Sequence, residues 1–453
     1  MIYLLFGIIS GLLLLSIVAF KYDLTAPTFL LNAAFWCASF CACLYDKRWG
    51  FEYQLLVEVV TLALSGFFLG SLVIYIIDKR VGKPNVRNLV PIKITTVRYA
   101  AYLCFQVVLY FLTLIVLSRN AGGFSVIKLA SIIGGYYELN RKGGTIYSSA
   151  LVNIGQIVNF SGTYYIIYIM MNNINVKQKN HPLVYINFII GAVGSLLMGT
   201  KAAFYMYIIG GFVIYIVLGQ KQNGWKRNID FKMVLRVILI LCVLLFTFNI
   251  IDSWQGRTLT NVGPVDKLAT YLGSPLKNLE LFLIENNSSN NAIFGAQTFK
   301  SIYNDLYELT GNSDYSIINL YKYRWVNGSP LGNVYTMFMP LYSDFGSIGT
   351  FAIMIIIGMF TQRIYDMVKY DKHEYDVDYK VIFYGYLSFT IMFSFFSNKF
   401  FESIISKAGI YFIIGIFIFD MFFIGIRNGK ISKRWKKRTR QKNSKMGNTS
   451  MVK

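Results

Sequence analysis

Asp344 sits in "GNVYTMFMPLYSDFGSIG" (Gly332–Gly349), between Tyr342 and a Phe-Gly pair, just before the apolar run "TFAIMIIIGMF". A carboxylate at the lip of such a run has two readings. It can cap the amino end of the following helix, where the dipole favours negative charge. It can also accept a proton from a hydroxyl at the edge of a cavity. Trp325, Tyr335 and Tyr342 lie close by in sequence and offer flat apolar faces of the kind on which sugar rings rest.

A second set of residues is cationic. Lys201 falls in the tight turn "GTKAAF", Arg257 in "DSWQGRTLT", and Arg141 beside Lys142 in "YYELNRKGG". Lys277, Lys322 and Arg324 follow. Lys201 reads either as a lysine snorkelling from a helix end or as a charge facing a polar cavity. The segment "NIGQIVNFSG" places Asn153, Gln156 and Asn159 three apart, on one helix face, as interhelix glue or as the lining for a hydroxyl-rich ligand. No phosphate-binding loop, GxGxxG, HExxH or GxSxG is present. The two histidines, His181 and His373, fall on loops assigned below to the inner side, which argues against histidine-dependent nucleophiles or a zinc site at the outer face. Nothing in the sequence requires a metal or cofactor.

These residues must be held by a membrane scaffold. The 453 residues are 55% hydrophobic and only 15% charged, and mean hydropathy is +0.48, too apolar for an ordinary soluble chain of this size. Apolar runs predict about eleven spans, at 2–20, 27–45, 54–77, 99–118, 148–171, 183–200, 202–219, 233–251, 348–368, 380–397 and 408–427. The class is an all-α polytopic membrane protein in a lipid bilayer. The five cysteines, Cys37, Cys41, Cys43, Cys104 and Cys242, fall within these spans and read as small core residues with no disulfide implied.

Net charge is +22, and topology accounts for it better than nucleic acid does. The tail "RNGKISKRWKKRTRQKNSK" (Arg427–Lys445) has no acids and reads as an anchor on anionic lipid of the inner leaflet. Placing it inside puts the basic loops at 78–98, 172–182, 220–232 and 369–379 inside too, and the amino terminus outside. Residues 1–251 then hold spans one to eight with an outer loop at 119–147. Residues 252–347 form a large outer loop, 348–427 hold spans nine to eleven, and 428–453 form a basic cytoplasmic tail. A loop of that length is expected to be functional. Within it, 264–285 and 296–309 have helix-like apolar spacing and predict short amphipathic helices lying over the membrane face. The positive-inside bias works against cations on these outer segments, and an anionic ligand at the outer face would supply a reason for them.

"YLGSPLKNLELF", "FGAQTFKSIYNDL" and "GNVYTMFMPLYSDFGSIG", in that order before a span, resemble the bacterial oligosaccharide repeat-unit polymerases, the O-antigen and capsule polymerase (Wzy) group. Asn333 and Tyr335 belong to the Asn-x-Tyr-Thr part of that pattern, and "GTKAAF" resembles the family's Gly-Ser-Arg-like turn with Lys201 in place of arginine. That exchange keeps the charge and loses the two-pronged geometry suited to phosphate. The resemblance is most specific over 264–349. It implies a GT-C-like, metal-independent glycosyltransferase of the inner membrane that joins repeat units carried on undecaprenyl pyrophosphate. A flippase and a chain-length regulator of the same pathway are implied as partners. Arg257, Lys201 and Arg141 would then face the lipid pyrophosphate leaving group, and Asp344 would be the base for the acceptor hydroxyl. Lys277, Arg324, Trp325, Asn333, Tyr335, Tyr342, Asn153 and Gln156 would line the substrate path. Two rival classes remain. A lipid-linked oligosaccharide flippase would be expected to have short loops and repeated halves, and neither is visible. An O-antigen ligase would rely on an outer-loop histidine.

Overall fold

The computed structural model describes residues 1–80, 84, 86, 88–120, 132–135, 149–198, 201–225, 247, 250–251, 264–285, 293–371 and 377–425. The described residues are mostly helical. In chain order the helices are α1 (Ile2–Ala19), α2 (Pro27–Leu44), α3 (Asp46–Trp49), α4 (Gln54–Lys79), α5 (Thr96–Asn120), α6 (Ala150–Asn175), α7 (Pro182–Gly194) and α8 (Ala202–Gln222). They continue with α9 (Pro264–Ile284), α10 (Lys300–Thr310), α11 (Phe338–Tyr370), α12 (Tyr379–Met392), α13 (Lys399–Ser403) and α14 (Lys407–Phe423). One antiparallel hairpin, β1 (Arg324–Val326) and β2 (Ser329–Gly332), turns through Asn327 and Gly328. Both have positive φ (47° and 72°), which an Asn-Gly pair tolerates.

Six described helices, α1, α2, α4, α5, α8 and α11, are long and apolar enough to cross a membrane. Their lipid-facing sides stay apolar, as with Leu14, Val18, Val73, Ile77 and Ile356, because nothing but hydrocarbon has to be met there. α6, α7, α12 and α14 coincide with four more of the predicted spans. The predicted span at 233–251 lies almost wholly outside the described residues.

Two ends can be told apart. At one, the near end, the Met1 amino group donates to the Phe51 carbonyl, and the backbone N–H of Met337 donates to the Ser394 carbonyl. At the other, the far end, Thr25 bonds Gln220, Asp23 pairs with Lys369 and Lys221 pairs with Asp378. α4 and α11 run parallel between these ends and pack backbone to backbone. A Cβ on Gly70 would lie 2.0 Å from the Ile355 carbonyl oxygen and one on Gly66 2.6 Å from that of Phe351. This is the close approach that a Gly-x-x-x-Gly spacing permits in a membrane.

Three features differ from the sequence reading. α11 begins at Phe338, ten residues before the predicted span, because the stretch up to Phe345 is already helical and breaks only at Gly346 (φ 65°, ψ −169°). α9 does not merely lie over the membrane face. It packs closely on α2, Gly273 against the Ala42 backbone, and buries Lys277, Asn278 and Glu280. The hairpin was not anticipated, although its Asn-Gly turn is a legible signal.

Candidate functional site

The near end gathers the chemistry-bearing residues. On α9, Lys267 and Tyr271 lie one turn apart on one face. The Tyr271 ring stacks on Phe396, with centroids 5.9 Å apart and planes 14° from parallel. Lys201, at the N-cap of α8, places its ammonium 5.6 Å from the Tyr271 centroid. Lys201 and Lys267 are both buried. Three segments distant in sequence thus meet around one ring: the start of α8, the middle of α9 and the turn after α12. In the sequence Lys267 sits amid an amphipathic helix, where a lone lysine looks like solvent face.

Asp344 is tied down. One carboxylate oxygen accepts from the backbone N–H of Gln297 (3.2 Å), the other from that of Thr298 (2.7 Å). The Thr298 carbonyl in turn accepts from the Asn398 amide (3.2 Å). Asp344 therefore holds the turn that leads into α10, at the two residues before its N-cap Phe299, and does not cap a helix itself. Glu402, on α13, is a second carboxylate in this neighbourhood. Its charge and that of Asp344 both act on Tyr321, whose hydroxyl burial already pushes up. Lys300, at the start of α10, is pushed down by burial and partly restored by Glu402. Glu402 pairs with Lys399 one turn earlier. Its signal in the sequence was an acid alone in "NKFFESI".

Other expected site residues are occupied elsewhere. Lys277 is buried and donates to Glu280 and to the Gly50 carbonyl, with its ammonium 5.1 Å from the Phe51 centroid. Glu280, fully buried, also accepts from the N–H groups of Glu52 and Tyr53, both at 2.8 Å, and so fixes the approach to α4. Arg324 is held by Glu285 and donates to the Tyr335 hydroxyl at 2.7 Å. The hydrogen bonds from Arg324, with help from Lys322, hold the Glu285 carboxyl down to about 2. Tyr335 is fully buried, so its ring face is closed to a sugar, and burial raises its hydroxyl despite the pull of Arg324. Both basic residues meet an acid because a buried or half-buried cation costs less when its charge is matched.

Tyr342 is half-buried against the core. Trp325 is 62% exposed on the hairpin beside Tyr323, and Asn333 is exposed just after it. Asn153 is exposed on α6, whereas the Gln156 amide donates to Thr113 of α5 at 2.7 Å. Asn159 joins Tyr102, Gln106 and Tyr110 in a buried network across the same helix pair. Arg141 and Arg257 lie outside the described residues. Among the described residues no three His, Cys, Asp or Glu side chains are grouped to hold a metal ion. No family model, curated protein or solved structure matches the chain.

Proposed function

We propose that this chain is a membrane glycosyltransferase that polymerises oligosaccharide repeat units carried on undecaprenyl pyrophosphate. The reading places the near end at the outer face of a bacterial inner membrane, with about eleven crossings in a GT-C-like arrangement and a cytoplasmic carboxyl terminus. α8 finishes at the far end and α9 starts at the near end, which supports the eighth crossing of this reading between them.

The observation that carries the reading is Lys201, buried with its ammonium near the Tyr271 ring of the Tyr271–Phe396 stack at the near end, with a second buried lysine, Lys267, one turn before Tyr271 on α9. Cations are disfavoured on the outer side of a membrane unless something anionic is met there. A prenyl pyrophosphate is anionic and is presented at that depth. In the reaction, the acceptor hydroxyl oxygen attacks the anomeric carbon of the donor. The new glycosidic bond forms as the carbon–oxygen bond to pyrophosphate breaks. The proton passes to a carboxylate, and the lipid pyrophosphate leaves with the electron pair, stabilised by Lys201 and, in this proposal, Arg257 and Arg141. Asp344 remains the candidate base, in competition with its two backbone bonds, and Glu402 is the other carboxylate within the same cluster. Trp325 gives an exposed ring for the growing glycan.

The test is deletion of the chain in its host, followed by electrophoresis of surface glycan. Long polymer should vanish while single repeat units persist on the outer leaflet. Lys201→Ala should reproduce this, and Lys201→Arg should restore at least part of the ladder. Units trapped on the cytoplasmic leaflet would point to transport, and an unchanged ladder would end the proposal.

A further inference from the structure

The far end holds a different cluster, independent of the polymerase reading. The parallel register of α4 and α11 that sets Gly66 beside Phe351 and Gly70 beside Ile355 also brings Asp78 to Arg363. Gln362 and Asp366 flank that contact on α11, and the Gln362 amide donates to one Asp366 oxygen at 3.0 Å. Asp78, Gln362 and Asp366 are all buried, at 5%, 0% and 1% exposure. Each keeps one acceptor oxygen with no donor: Asp78 Oδ2, Gln362 Oε1 and Asp366 Oδ2.

Charge sharpens the point. Asp366 is within reach of the like charges of Asp78 and Asp23. The cation nearest on its own helix, Lys369, gives its hydrogen bond to Asp23 at 2.6 Å and is flanked by the Trp225 and Tyr365 rings. Arg363 serves Asp78 from a half-exposed position. On α12 the Tyr384 hydroxyl bonds the Thr25 carbonyl, and Lys380 pairs with Asp371. Lys369 still acts on Asp366 by its charge, but it is shared with Asp23, so three carboxylates, Asp23, Asp78 and Asp366, draw on two cations, Lys369 and Arg363; an incompletely matched buried carboxylate is costly. Water would supply donors but no compensating charge.

We infer that Asp366, Gln362 and Asp78 bind a hard monovalent cation, Na⁺ or K⁺, between α4 and α11 at the far end. The three carboxylates Asp23, Asp78 and Asp366 set against Arg363 and Lys369 leave one negative charge, which a monovalent ion balances, and the all-oxygen donor set lacks the nitrogen or sulfur ligands of a transition metal. The ion would tie α4 to α11, the longest helix of the described fold, which carries Asp344 at its other end.

The full chain, purified in detergent, would be melted in choline chloride and then with Na⁺, K⁺ or Li⁺ substituted at constant ionic strength. A saturable rise in melting temperature of several degrees is expected with Na⁺ or K⁺, as linkage to a folded-state ligand requires. Asp366→Asn should abolish the rise, and Gln362→Leu should right-shift it if the first variant folds poorly. Identical melting in all four salts would overturn the inference. So would a response to pH alone, which would place a proton there, or a rise that survives Asp366→Asn. None of these readings depends on glycan synthesis, so failure here leaves the polymerase proposal standing.

Discussion

Removing one member of the Lys277–Glu280 pair separates a structural cation from a substrate-binding one. Both side chains are buried, and Glu280 accepts three hydrogen bonds, one from Lys277 and two from the backbone at Glu52 and Tyr53. Glu280→Gln keeps an acceptor for the backbone but turns an amide toward the ammonium. Lys277 would be left buried with the Gly50 carbonyl, and breaking a buried pair this way costs about 3–5 kcal/mol. Lys277→Met is milder, because the carboxylate keeps its two backbone donors; the loss should be about 1–3 kcal/mol. The double variant has no charge to strand and should fall about 2–3 kcal/mol short of the sum of the singles. Thermal unfolding of detergent-purified protein, with membrane abundance in parallel, gives the three differences. Additive losses would refute the buried-pair argument. A Lys277→Met protein that melts like wild type yet makes no polymer would return Lys277 to the substrate path.

Gly70→Leu should force α4 from α11, since its Cβ alone meets the Ile355 carbonyl at 2.0 Å; a loss of about 3 kcal/mol, the upper end for overpacking, is expected. It would be read as loss of monodisperse protein, with Gly7→Leu, which faces open space, as the silent control. Asp344→Asn keeps one acceptor oxygen of two, so amide exchange at Gln297 or Thr298 should quicken about tenfold or more, as expected for losing a charge-assisted bond of about 1.5–3 kcal/mol. Lost polymerisation with unchanged exchange would instead make Asp344 a reacting group. For acid stability, Glu285 has its folded value lowered from 4.5 to about 2. Its contribution is therefore present above about 4.5 and lost as pH falls toward about 2, and it is modest because the pair is partly exposed. Asp23 is also lowered, since Lys369, Tyr365 and Thr25 outweigh the opposing effect of burial, and it adds to the same acid-side loss. Glu285→Gln should flatten part of that slope in a pH series of melts, and an unaltered slope would count against the Arg324 contact.

The apolar runs determined where helices form, because a backbone in hydrocarbon has to satisfy its own hydrogen bonds whatever surrounds it. Alternation of loops, the amphipathic character of α9 and α10, and a special residue at the Gly346 break were likewise visible in the chain. So, in principle, were the Gly66–Gly70 spacing and the Lys277–Glu280 pair, which lie four and three residues apart. What no local pattern contains is partnership across the fold. Asp344 meets Thr298, Arg324 meets Glu285, and Lys201 meets Tyr271 only because helices pack and bring remote segments to one end. A charge in isolation looks available for ligand; burial decides whether it is already matched, because the cost of leaving it unmatched appears only once solvent has been excluded.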